Sequence, residues 1–243
     1  MAQSGVLRTI QSMSKIVFVH GYHVGAGAWD DVVFGSPDVG RLGRACAGLV
    51  VGYRTKSDLV VLGSGASHRD GLSEAALSLS GVKARSECLA ELVGVDVAAW
   101  DAWVDSHVVL DEASLNTVDE IRYAFDLALL REASAITLVS SPVHLARCLA
   151  AGLAVCEEPR YTGLRRGLGV HASDTNFENF DARDVVVVEP PHRADRPWVR
   201  FDVLARRMFG VLGSEALAKE YEAKWEELLN SVLATSEREH LGD

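Results

Sequence analysis

Short apolar runs alternate with longer amphipathic stretches through the first two thirds of the chain. The runs are KIVFVH (15–20), DLVVLG (58–63), HVVLD (107–111) and AITLVS (135–140). Each is too short for a helix, rich in Val, Ile and Leu, and ends in or is followed by Gly, Ser or Asp, the pattern of buried parallel strands. Helical segments at about 39–54, 84–94, 117–131 and 142–152 separate or follow them. The rhythm predicts βαβ units and a Rossmann-like, doubly wound, mainly parallel α/β sheet.

The third helix carries the clearest periodicity. Ile121, Ala124, Phe125, Ala128 and Leu129 fall on one face, and Thr117 and Glu120 have the spacing of a capping box at its start. Ser141 followed by Pro142 predicts the N-cap and first position of the fourth helix. Beyond residue 153 the pattern loosens. Residues 157–184 read as a polar connection, VVVVEPP (185–191) as a further strand, and 214–233 as an amphipathic helix with Leu217, Tyr221, Trp225, Leu228 and Val232 on one face. That face would cover the sheet or its edge, or make a homodimer contact. The expected organisation is a tail (1–14), an α/β domain (15–213), and a C-terminal helix and tail (214–243).

Composition narrows the function. A formal charge of -10 over 243 residues argues against broad nucleic-acid binding. No run of about 18 apolar residues is present, so no membrane span is expected. Residues 1–15 lack the apolar core of a signal peptide, which predicts a cytoplasmic protein. Cys46, Cys88, Cys148 and Cys156 form no CxxC pair and read as buried, reduced thiols.

Open parallel sheets bind ligands outside the carboxyl ends of their strands. The polar residues there are His20, Gly21 and His23 after the first run, Gly63, Ser64 and Gly65 at the second, Glu112, Ser114, Asn116 and Thr117 after the third, and Ser140, Ser141 and His144 at the fourth. The first loop, VHGYHVGAGAW, resembles an α/β-hydrolase loop, but the chain has no Gly-x-Ser-x-Gly elbow. Gly21, Gly25 and Gly27 do not make GxGxxG, and no Walker A lysine follows. His20 and His23 raise a metal-dependent hydrolase as a weaker alternative, though no zinc pattern surrounds them and no metal ligand is assigned. In the third loop the short polar side chains ahead of a helix N-terminus suit a phosphate or carboxylate. His144, in a first helical turn, is expected to stay neutral beside the positive end of the helix dipole.

The order of GRLGRA, VVLGSG, SEC, EASLNT and SSPVHLAR resembles the bacterial domain-of-unknown-function family typified by YdcF, SanA and ElyC. The resemblance spans roughly residues 15 to 155. It implies a Rossmann-like fold and a ligand site that includes Arg41, Gly63, Ser64, Gly65, Ser86, Glu87, Glu112, Ser114, Asn116, Thr117, Ser140, Ser141, His144 and Arg147. YdcF binds S-adenosylmethionine, so that molecule or a nucleotide is the implied cofactor. Two departures stand out. Residues 66–83 look like an insertion, which makes Glu74 a rival of Glu87 as the site carboxylate, and His20 and His23 occupy a loop where the family more often has glycines.

Together these readings predict a small-molecule enzyme, a hydrolase or transferase, for an anionic, phosphorylated or nucleotide-like ligand. Ser114, Asn116 and Thr117 would cradle the anion, Arg41 or Arg147 would neutralise it, and Glu112 and His144 would be the acid/base pair. The alternative is a protein that binds S-adenosylmethionine or a nucleotide without turnover.

Overall fold

A computed structural model of the chain describes residues 14–176 together with Val186–Val188 and Trp198–Arg200. Five parallel strands form the central sheet: β1 (Lys15–Val19), β2 (Leu59–Gly63), β3 (Val108–Asp111), β4 (Ala135–Ser140) and β5 (Leu168–Ala172). Their order is β3-β2-β1-β4-β5, the doubly wound Rossmann-like arrangement, and the order reverses between β1 and β4.

Alternation along β1 sends its side chains to two cores. Val17 and Val19 join Val60, Leu62 and Val139 under α1 (Trp29–Phe34), α2 (Arg44–Thr55), α3 (Glu74–Lys83), α4 (Ser86–Val93) and α5 (Val97–His107). Ile16 and Phe18 join Leu59, Val61, Ile136 and Leu138 under α6 (Thr117–Leu130) and α7 (Pro142–Val155). Both sheet faces are therefore covered, which is why the strands read as continuous apolar runs.

The four expected strands and four expected helices are present, and the structure adds elements that the sequence reading did not contain. Leu168–Ala172, inside the expected polar connection, pairs in parallel with β4 from Ile136↔Leu168 to Ser140↔Ala172. It is an edge strand with three exposed positions, so it lacks the apolar run that marks a central one. Residues 66–83 are part of the fold: a hairpin of His68–Arg69 with Leu72–Ser73 leads into α3, which buries Ala75 and Val82 in the core. The short α1 and the α5 helix, which buries Trp100 and Val104, complete the cover of that face.

By contacts the chain divides into residues 1–178 and 179–243. In the second unit Val186–Val188 forms a strand, as expected near 185–191, and pairs antiparallel with Trp198–Arg200. The expected helix at 214–233 and the tail before residue 14 lie outside the described residues. Among the described residues no helix is long and apolar enough to cross a membrane.

Candidate active site at the strand C-termini

The carboxyl ends of β1 and β4, where the sheet order reverses, are lined by His20, Gly21, Ser140 and Ser141. His20 is 1 % exposed, and its Nδ1 lies 2.7 Å from Glu120 Oε2. Glu120 comes from the first turn of α6, and its other oxygen accepts from the Gly21 backbone N–H at 2.9 Å. A side chain on Gly63 would meet that same oxygen, so the glycine at the end of β2 gives the Glu120 carboxylate room to cross the sheet edge. Burial works against the charged His20 ring, but the Cys148 sulfur, which acts through charge only as a thiolate, and the Glu120 carboxylate outweigh it and hold its pKa up at about 10. Burial likewise opposes the Glu120 charge, yet His20, the Gly21 N–H and Arg44 hold its pKa below the ordinary carboxylate value.

Arg44 opens α2 and is 2 % exposed. Its Nε donates to Ser141 Oγ at 2.8 Å and its Nη1 to the Gly21 carbonyl at 2.6 Å, so it ties the β1 loop to the start of α7. Burial lowers its pKa to about 10, which leaves it cationic at neutral pH. Ser141 is the N-cap residue of α7 with Pro142 after it, as expected, but its hydroxyl serves Arg44 and makes no cap bond.

His144 is half-buried in the first turn of α7. Its Nδ1 lies 2.9 Å from Ser140 Oγ, and its ring stands 5.9 Å from that of His20, edge to face. Burial first, then the charges of Arg44, His20 and Arg147, push its pKa well below the ordinary 6.5. The neutral state expected from the helix dipole is thus favoured, chiefly by desolvation. Cys148, one turn further along α7, places its Sγ 3.4 Å from His144 Nδ1.

A second carboxylate, Glu74, is 2 % exposed at the start of α3 and accepts from Ser64 Oγ at 2.8 Å and Ser67 Oγ at 2.5 Å. A Cβ on Gly21 would collide with Glu74 Oε2 and with Ser64, so only glycine fits between the two acidic groups. Glu87, its rival, lies exposed in the first turn of α4.

The third loop is arranged differently from its expected role. Asn116, rather than Thr117, caps α6: its Oδ1 accepts from Val118 N and Asp119 N at 3.0 and 3.1 Å. Those are the N–H groups an anion would need, and Glu120 turns into the site instead of closing a capping box. Ser114 and Ala113 donate their backbone N–H groups to Asp111 Oδ1, and the Ser114 carbonyl accepts from Gly65 N. Thr117 is buried in the helix start. Glu112 is exposed and accepts from Ser73 Oγ at 2.6 Å. It follows β3, three strands from β4 and so roughly 14 Å away at ordinary strand spacing, which separates it from His144. Arg41 is a surface residue paired with Asp31, and His23 faces solvent with its Nδ1 accepting from Gly25 N.

The sequence reading thus located His20, Gly21, Ser140, Ser141 and His144 in one place and missed Arg44, Glu120 and Cys148. Two of these left a trace. Arg44 puts a positive charge at the positive end of a helix and is followed by apolar residues, an unfavourable placement that a structural role must offset. Glu120 stands four residues before Ala124 and eight before Ala128, on the apolar stripe itself. Among the described residues no group of three or more His, Cys, Asp or Glu is placed to hold a metal ion. Compared with known proteins, the chain matches no family model, no curated protein and no solved structure.

Proposed function

We propose that the chain is a small-molecule enzyme for an anionic, phosphorylated or nucleotide-like ligand seated between the ends of β1 and β4. The observation that carries this reading is the pair His20 and His144, 5.9 Å apart, whose surroundings drive their protonation in opposite directions. Titratable neighbours with pKa values pushed apart are the arrangement acid/base chemistry requires. His20, held by Glu120, keeps its proton at neutral pH and acts as a fixed cationic donor. His144 stays neutral and is the group able to take up and return a proton. Arg44 adds a second buried positive charge beside the ligand seat. Relative to the sequence expectation, Glu120 with His20 replaces Glu112 as the partner of His144.

A thermal-unfolding screen with inorganic phosphate, adenosine monophosphate and S-adenosylmethionine tests the reading, followed by mass spectrometry of the incubated ligand. A ligand at a hundred times its dissociation constant stabilises by about 2.7 kcal/mol, on the order of 5–10 °C for a domain of this size. The expected result is such a shift for at least one of the three, followed by chemical change that His144→Gln slows by about 10²-fold or more. Binding with no change of the ligand would favour the non-catalytic alternative. No shift with any of them contradicts an anion seat.

A further inference from the structure

Cys148 has no exposed surface, and its Sγ lies 3.4 Å from Nδ1 and 4.0 Å from Nε2 of His144. Buried thiols are ordinarily inert packing groups, and it is the surroundings that set this one apart. His20, from the end of β1, bears on the same sulfur electrostatically. With Nδ1 on Glu120, its Nε2 faces the Cys148 sulfur and makes no well-formed hydrogen bond, although the residue is 1 % exposed. Native proteins rarely leave a buried donor without a well-formed bond, so Nε2–H is able to serve an acceptor beside that sulfur. Cys46 and Cys156, also buried, have no histidine contact of this kind among the described residues.

We propose that Cys148 is the nucleophile of this crevice, acting on the acyl carbon of a small carboxylic ester or thioester, with His144 as its base and His20 Nε2–H as donor to the developing oxyanion. Thiols are the strongest of the common side-chain nucleophiles once deprotonated, and a base within reach supplies the deprotonation. The Cys148 proton passes to His144 Nδ1, where Ser140 Oγ is placed to accept the new N–H. The sulfur forms a bond to the acyl carbon, and the carbonyl electron pair moves onto oxygen, facing His20. Collapse re-forms the carbonyl and breaks the bond to the leaving group, which takes the proton from His144. Water then attacks the thioester while His144 receives its proton. The S–C bond breaks, the carboxylic acid departs and the proton returns to sulfur. Glu120, bonded to the far nitrogen of His20, acts as a positioning residue. Because the sulfur is covered, the acyl group must be small.

The proposal deepens the reading above and rests on it for the seat of the ligand. It is tested with 4-nitrophenyl acetate on the full chain at pH 7, with nitrophenolate release followed by absorbance and the acetylated residue located by peptide mass spectrometry. The expected result is an acetyl group on Cys148, release reduced to the rate in buffer alone by Cys148→Ser, and at least about a 10²-fold slowing by His144→Gln. Equal rates for native and Cys148→Ser chains, or acetyl only on another residue, would overturn it. Should Cys148→Ser fail to fold by circular dichroism, alkylation of the native chain by chloroacetamide decides. Cys148 must react faster than Cys46 and Cys156, and equal or slower reaction counts against the proposal. Acetylation without any shift by the anions sinks the anionic ligand alone, and a shift without acetylation sinks the thiol chemistry alone.

Discussion

Glu120→Ala should lower the free energy of unfolding at pH 7 by about 3–5 kcal/mol, the loss that follows removal of one partner from a buried ion pair. The substitution strips His20 Nδ1 of its acceptor and leaves the Gly21 N–H without one. It also opens the space above Gly63 that the carboxylate fills. Most surface substitutions cost far less, so a carboxylate engaged only with solvent would not behave this way. The penalty should also shrink as pH rises toward 10, where His20 in the native chain gives up its charge and the pair is lost in any case. Urea unfolding of both chains at pH 7 and pH 9 measures the penalty directly. A loss below about 1 kcal/mol at pH 7 would place Glu120 outside any buried pair.

A second large effect is expected in the pH dependence of stability. A histidine whose pKa is raised in the folded chain contributes stability that is complete below its unfolded value and is lost as pH rises through the folded one. For His20 that window runs from 6.5 to about 10. Throughout most of it the unfolded chain binds one proton fewer, so stability should fall by about 1.4 kcal/mol per pH unit. From pH 7 to 9 the fall is on the order of 2–3 kcal/mol. Above pH 9 the buried Cys46 thiol, raised from 9.0 to about 12 by burial, adds to the loss in the same sense. On the other side His144, held neutral in the folded chain, makes stability rise with pH up to about 6.5. The groups facing these rings are Glu120, Arg44, Cys148 and Arg147, and of them Glu120, with its lowered pKa, loses its contribution only below the ordinary carboxylate range. Stability should therefore peak near pH 6.5, and His20→Gln should flatten the alkaline limb between pH 7 and 9. A limb unchanged in that variant would assign it to other groups.

The parts of the fold legible in the sequence are those where local pattern and burial agree. Strands β1, β2 and β4 lie inside the sheet and β3 at one edge, and all four carry apolar runs rich in Val, Ile and Leu. The edge strand β5 needs apolar residues at fewer positions, and LGVHA carries no alternation strong enough to separate it from a loop. Helix α3 was hidden for a related reason: its buried side includes Glu74 and Ser78, so polar residues interrupt the stripe. At the site, the residues immediately after a strand were found because topology alone aims them at the crevice. Glu120 and Cys148 were not, because each enters from within a helix, and only tertiary packing shows that the first spans Gly63 and the second underlies His144. Arg41 and Arg44 stand three apart in the same motif, and the choice between them depends on where α2 begins.

The central claim is that one buried histidine stays charged and its neighbour stays neutral at the same pH. Nitrogen-15 NMR of the ring nitrogens, with the chain's eight histidines assigned through single substitutions, reads both directly between pH 5 and pH 9. The account predicts that both His20 nitrogens remain protonated to pH 9 while His144 remains a neutral imidazole at pH 6. A His20 ring that loses its proton below pH 7, or a His144 ring that is charged at pH 6, would contradict it.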